Sequence, residues 1–321
     1  MCSYKHLTLD QKCTIAGLLS IKKSVREIAT SIGVNPSTVS REIKRNSVDG
    51  IYQASFAHDK YQNRKKENGR PTVLTPAVRC QVLLGLKNYH SPEQISGSLK
   101  LSGINISHET IYKFVWKEKS LGADLHKYLR HGGKKYNKRS GVYSGRGLIP
   151  ARVDIDEREA IVDTKSRIGD WEADTVIGAG QSGVIVTLVE RHSKILLSKL
   201  VANKTKDVVT QAICELLEPY KDKVLTITYD NGGEFAGHEI IGKTLDAKCY
   251  FAKPYHSWER GLNEHTNGLL RQFIPKKMPL TNLTENELAK YQNLINNRPR
   301  KILNFNTPNN VFLSPDVALA A

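Results

Sequence analysis

The sequence predicts a multidomain protein in which an all-α N-terminal region is followed by an α/β domain built on a mixed sheet. Three observations carry this. The first fifty residues hold three short helical patterns, each opened by a capping signal. From Gly169 onward the apolar residues stop recurring at helical spacing and form Val-, Ile-, Thr- and Leu-rich runs bounded by Gly and Ser. Between Asp124 and Asp154 no acidic residue occurs, and this basic stretch divides the two textures. A chain of 321 residues accommodates two or three domains, and the expected limits are 1–62 and 63–130 for two helical modules, 131–165 for a basic linker and 166–321 for the α/β domain.

Composition narrows the function classes. The 48 Lys and Arg outweigh 32 Asp and Glu, giving a net charge of +16 and a pI near 9.5, which favours a polyanionic partner, nucleic acid first. Hydrophobic residues make up 39% and charged ones 25%, with a mean hydropathy of −0.42. No run approaches the ~18 apolar residues of a membrane span, so a membrane-bound protein is not expected, and neither is a disordered one. Cys2, Cys13, Cys80, Cys214 and Cys249 show no C-x-x-C spacing, which argues against a zinc cluster or a disulfide framework. The N-terminal residues lack the apolar core of a signal peptide. A cytoplasmic, reducing compartment is the expectation.

The N-terminal elements follow in order. Thr8 and Gln11 make a capping box for a helix over 9–22 that carries Leu9, Ile15, Leu18 and Leu19. Ser24 and Glu27 make a second, opening a short helix with Val25, Ile28, Ala29 and Ile32, and Gly33 supplies the turn. Asn35-Pro36 opens a third, with Val39 and Ile43 turned inward. A short helix, a glycine turn and a polar helix in sequence form a helix-turn-helix. In the third helix Ser37, Thr38 and Ser40 are candidates for base edges, and Arg41, Lys44 and Arg45 for phosphates of double-stranded DNA.

After a polar, basic stretch over 60–70, Ser91-Pro92-Glu93-Gln94-Ile95 opens a helix, Gly103 breaks it and 107–115 opens another. This is either a second helix-turn-helix, with Tyr112 and Lys113 as DNA contacts, or a structural helical pair. In the linker, Lys134, Lys135, Lys138 and Arg139 stand among Gly, Ser and Tyr and are expected to track phosphates.

In the C-terminal half, 172–178, 184–190 and 194–201 read as an antiparallel meander. A helix over 205–217, a strand over 225–229, a helix over 237–245, a strand around Tyr250 and Phe251 and a helix over 260–273 follow. The order βββαβαβα is that of an RNase H-like fold, with helices covering a mixed sheet.

Three acidic residues dominate this half: Asp174 in Asp170-Trp171-Glu172-Ala173-Asp174-Thr175-Val176, Asp230 in Tyr229-Asp230-Asn231-Gly232-Gly233-Glu234-Phe235, and Glu264 in Ser257-Trp258-Glu259-Arg260-Gly261-Leu262-Asn263-Glu264. Three carboxylates gathered by a fold supply the hard oxygen donors that a pair of Mg²⁺ ions needs for phosphoryl transfer. Asp174 is expected in mid-strand, Asp230 at a strand end and Glu264 in the first turns of the last helix.

With these motifs in order, the chain resembles transposases of the bacterial insertion-sequence IS30 family, whose catalytic core carries a W-E-x-D strand, a D-N-G-x-E-F turn and an S-W-E-R-G-x-N-E helix start. The resemblance runs from the first helix-turn-helix through Asn296-Asn297-Arg298-Pro299-Arg300 and Thr307-Pro308. Glu159 departs from it, since a proline often follows an arginine like Arg158 in that family. The resemblance implies a DDE transposase that binds terminal inverted repeats and performs strand cleavage and strand transfer. Asp174, Asp230 and Glu264 would be catalytic and metal-binding, with two Mg²⁺ ions for which Mn²⁺ can substitute. A homodimer or larger assembly on DNA, in the bacterial nucleoid, is implied as well.

Periodicity puts Asp170, Glu172 and Asp174 on one strand face, so spacing leaves the first-strand ligand open among them. Asp174 is preferred because it lies deepest in the apolar run and matches the family's first aspartate. Glu234 is expected to hold its loop by hydrogen bonding, and Glu259 to bind helix amides or pair with Arg260. Glu264, Asn267, Gly268 and Arg271 share a helix face, making Asn267 and Arg271 candidate DNA contacts, with Lys253 and His256 behind them. Two rivals remain: a DNA-binding regulator with an inert core, and an integrase or nuclease of the same fold.

Overall fold

The computed structural model describes residues 6–67, 72–130, 149–253 and 260–314. Lys134, Lys135, Lys138, Arg139, His256, Glu259 and most of the Ser257-to-Glu264 motif's opening lie outside the described residues. The chain divides into two compact units, Met1–Thr72 and Val73–Ala321.

In the first unit, α1 (Leu9–Ser20), α2 (Val25–Ser31), α3 (Pro36–Asn46) and α4 (Ala54–Glu67) enclose Ile15, Ile28, Ala29, Val39, Tyr52 and Ala57. Both capping boxes form, Asn35 accepts from the Ser37 amide, and Gly33 takes φ +66° at the turn, a conformation that favours glycine. The polar stretch expected over 60–70 is helical through Glu67. Its inner face is polar yet partnered: Arg64 donates to Asn46 Oδ1 at 2.7 Å, and the buried Lys12 lies 4.8 Å from the Tyr61 ring centroid while donating to the Ala57 carbonyl at 3.0 Å. Periodicity of apolar residues alone does not reveal such a helix.

The second unit opens with α5 (Pro76–Lys87), α6 (Pro92–Leu101) and α7 (His108–Ser120), which bury Val82, Leu86, Ile95, Ile111 and Val115 between them. Short α8 (Ile161–Thr164) leads into the sheet: β1 (Asp170–Ile177), β2 (Val184–Glu190), β3 (Leu196–Val201), β4 (Thr226–Tyr229) and β5 (Lys248–Phe251). Its order is β3-β2-β1-β4-β5; β1 to β3 are antiparallel neighbours, while β4 runs parallel to both β1 and β5. The parallel pairs require crossovers, supplied by α9 (Lys206–Leu217) and α10 (His238–Leu245). This is the RNase H-like arrangement.

Alternation along the strands divides the core in two. Trp171, Ala173, Val186 and Leu188 face α9 and α10, whereas Val176, Ile185, Val189 and Leu196 face α11 (Gly261–Leu270) and α12 (Glu285–Asn296). The α11 helix is not the last: α12 and α13 (Pro308–Leu313) follow. Helix α12 covers the open edge of β3, where the Asn296 side chain accepts from the Leu196 amide at 2.9 Å and donates to its carbonyl at 2.8 Å. Gln292 accepts from the Ser198 amide at 2.7 Å. An otherwise unpaired strand edge is satisfied in this way.

Candidate active site

Three acidic side chains leave the same face of β1 and meet different surroundings. Asp170 is fully buried and accepts from Arg167 Nε at 3.0 Å and from Thr226 Oγ1 at 2.8 Å. Glu172 is also buried; it accepts from Arg191 Nη1 at 3.0 Å and from the Asn263 amide in the first turn of α11 at 3.0 Å. Both are committed to structural partners. Asp174, 26% exposed at its side chain, is the acid of this face that opens to solvent.

Asp230 follows β4 directly. Glu172 pairs with Thr228 across the parallel β1–β4 ladder, and two residues further along each strand Asp174 and Asp230 stand level on the same face. The turn after Asp230 is braced from three sides. The Gly232 amide donates to Asp230 Oδ1 at 2.8 Å, Asn231 donates to the Ala252 carbonyl at 2.7 Å, and Glu234 accepts from Thr175 Oγ1 at 3.1 Å. A Cβ on Gly232 would fall 2.5 Å from Glu234 Oε2 and 2.9 Å from Asp230 Oδ1, so a larger residue there would have to push both carboxylates aside.

Arg260 stands between the two carboxylates, with Nη2 3.5 Å from Asp174 and Nη1 3.6 Å from Asp230. Nη2 also donates to the Ala173 carbonyl. Burial raises the Asp174 carboxyl above the usual carboxylate range; the Arg260 charge opposes that rise and the Asp230 charge adds to it. The sequence reading names Arg260 only as one of two partners for Glu259 and misses this placement. A faint signal exists, because an arginine at a helix N-terminus opposes the macrodipole and implies an anion elsewhere.

On α11, Asn267 donates from Nδ2 to Asp174 Oδ2 at 2.9 Å and its buried Oδ1 has no partner. Arg271 donates to the Ile177 carbonyl at 2.9 Å. Both candidate DNA contacts are therefore engaged with β1. Glu264 is exposed one turn before Asn267 on the same helix face. Asp174 and Asp230 are thus brought together, while among the described residues no three His, Cys, Asp or Glu side chains stand at metal-ligating distances. The donor set nonetheless fits a hard divalent cation: two level carboxylates already share a counter-cation, and the orphaned Asn267 oxygen lies beside them.

In the first unit, Ser37, Ser40, Arg41, Lys44 and Arg45 are exposed on α3 and Thr38 is half-buried. Arg41 donates to Ser37 Oγ at 2.9 Å. On α7, Lys113 is exposed and the half-buried Tyr112 ring lies edge-on to His108. No helix among the described residues is long and apolar enough to cross a membrane.

Comparison with known proteins agrees with this architecture. Residues 3–46 match the model of a helix-turn-helix domain, which spans α1 to α3. A transposase for insertion sequence element IS4351 of Bacteroides fragilis is 47% identical across 96% of this chain and 95% of its own. Transposase InsI of element IS30A of Escherichia coli strain K12 is 37% identical, with 95% and 83% covered. The catalytic core domain of BIV integrase aligns with a TM-score of 0.36 at 22% identity, over 45% of this chain and 93% of that one; the fold assignment rests on the strand order. Identity of this extent over nearly the full length of both chains places the protein in the IS30 family of insertion-sequence transposases.

Proposed function

We propose that this transposase cuts and joins DNA strands at Asp174, Asp230 and Glu264, with divalent metal, Mg²⁺ or Mn²⁺, bound by these acids. The observation that carries the reading is the level placement of Asp174 and Asp230 around one cationic group. Ions held there would polarise the attacking hydroxyl and stabilise the leaving oxygen. The chain's own residues do the positioning. Asn267 fixes one oxygen of Asp174 and the braced turn fixes Asp230, while Glu264 lies one turn before Asn267 on α11, the helix packed over this face of the sheet.

In this reading Ser37, Thr38 and Ser40 read base edges of a terminal inverted repeat, while Arg41, Lys44 and Arg45 neutralise its phosphates. Tyr112 and Lys113 form a second contact, Lys134, Lys135, Lys138 and Arg139 follow the backbone, and Arg271 lies along the path to the acids. The domain limits 1–62, 63–130, 131–165 and 166–321 belong to the same reading. Joining two ends requires a dimer or larger assembly on DNA, acting in the cytoplasm at the nucleoid.

The test is incubation of the protein, with Mg²⁺ or with EDTA, on labelled DNA bearing the ends that flank its coding sequence, beside Asp174→Ala, Asp230→Ala and Glu264→Ala. Metal-dependent cleavage and joining that all three variants lose, with binding intact, is the expected result. Binding without cleavage under any metal would make the chain an inert regulator, and cleavage without strand transfer would make it a nuclease.

A further inference from the structure

Arg298 and Arg300, from the Asn296-to-Arg300 motif, are only 3% and 9% exposed. A buried guanidinium carries five donors and one positive charge, and leaving these unanswered is costly. Arg298 donates from Nη1 and Nη2 to one oxygen, Gln272 Oε1, at 3.3 and 3.4 Å. Arg300 donates from Nη2 to the Ile295 carbonyl at 3.4 Å, and the Nε of each arginine is buried without a partner. Arg300 feels the charges of Arg298 and Arg130, and Arg298 that of Arg130, all positive; among the described residues no carboxylate pairs with either. Burial, with that repulsion adding to it, pushes both arginines down to about 10.

The contrast with a neighbouring basic cavity is instructive. The cavity of about 530 Å³ lined by Arg158, Lys165, Arg191 and Lys194 also gathers cations, but Asp163 and Glu172 pair with its arginines. The Arg298 and Arg300 cluster has no such acids.

Its location is fixed by α11. Arg130 reaches solvent, and its Nη2 lies 3.3 Å from where a Cβ on Gly268 would stand, so glycine leaves room for the guanidinium against the helix. Gly268 and Gln272, which meet Arg130 and Arg298, therefore mark the side of α11 toward the arginines, while Asn267, one position before Gly268, turns to Asp174 on the adjacent side. The two sites share a helix and no residue.

We infer that Arg130, Arg298 and Arg300 form a binding site for the phosphodiester backbone of DNA, one helix face away from the carboxylates, which seats the strand beside the position being cut. The inference rests on the DNA-cutting reading above and adds the residues that hold the strand. A phosphodiester offers two unesterified oxygens, and Arg forks pair with them in a bidentate manner.

Phosphate-ethylation interference with the full chain in EDTA, on DNA bearing the flanking end, tests it together with the salt dependence of binding. Arg300→Gln and Arg130→Gln should each erase interference at the same one or two phosphates beside the cleavage point and leave the pattern over the repeat intact. Each should flatten the slope of log K against log salt by about 0.9 per phosphate lost. Arg130 is exposed, so its variant carries the test if thermal unfolding shows that Arg300→Gln fails to fold. Unchanged interference and slope in a folded Arg130→Gln protein would overturn the inference, as would inorganic phosphate stabilising the wild type while the DNA pattern stays unaltered by either variant. A wild type that cuts in Mg²⁺ while the variants keep its footprint sinks this site alone; one that never cuts the end sinks the underlying reading.

Discussion

Asn267 and Asp174 are joined by a hydrogen bond of 2.9 Å from Nδ2 to Oδ2, which ties the middle of α11 to the middle of β1. The bond fixes the rotamer of the acid and leaves its other oxygen toward Arg260. Groups that orient a ligand are worth about 10–100-fold in metal affinity or activity when removed. Asn267→Ala should lower end cleavage by that factor and raise the Mg²⁺ concentration for half-maximal cutting, with binding to the repeat unchanged. A cleavage rate equal to the wild type's at limiting Mg²⁺ would show the bond to be incidental.

Arg260 answers two carboxylates that stand level on adjacent strands. Without it, Asp174 and Asp230 face each other with like charge in a half-buried setting. Arg260→Gln should therefore unfold at lower temperature than the wild type in EDTA, and added Mg²⁺ or Mn²⁺ should stabilise the variant more than the wild type, because the metal no longer competes with a guanidinium. Mass action sets the scale, about 2.7 kcal/mol at a hundredfold excess over Kd. Equal metal-induced shifts of Tm in the two proteins would contradict this.

Much of this was legible in the sequence, because local rules and global fold agree. The capping boxes at Thr8 and Ser24 formed, four strands emerged where β-branched runs lay between turn residues, and the fifth where Tyr250 and Phe251 marked it. What escaped depends on contacts far apart in the chain. Helix α4 turns polar side chains inward onto Asn46 and Lys12, so its periodicity is hidden. Helix α12 had a readable capping box at Thr284 and Glu287, but its use of Asn296 to complete β3 spans a hundred residues. The first-strand ambiguity could not be resolved by spacing, since Asp170, Glu172 and Asp174 share a face; it is partner side chains such as Arg167 and Arg191 that distinguish them.

Gly97 on α6 faces the Phe305 ring, and a Cβ built on the glycine would land inside that ring's van der Waals envelope. Phe305 has φ +64°, an unfavourable conformation for a non-glycine residue, so its backbone is held by its surroundings and cannot easily give way. Gly97→Ala should cost about 1–3 kcal/mol by overpacking. The double variant with Phe305→Ala should recover part of that loss, because the two residues share one contact. Strictly additive destabilisation in urea unfolding would place the damage elsewhere.

His90 is pushed down to about 4 by burial, with the Arg298 charge adding to the effect. Its ordinary value is 6.5, so the folded state favours the neutral ring. The associated stability is fully present above about pH 6.5 and is lost as pH falls toward 4. After allowance for solvent screening of this partly exposed ring, the loss is on the order of 1–2 kcal/mol. His90→Gln should flatten the fall of Tm between pH 7 and pH 4.5, and an anion seated on Arg298 should flatten it in the wild type by removing part of the repulsion. If His90→Gln loses stability with acid as steeply as the wild type, the acid sensitivity belongs to another group.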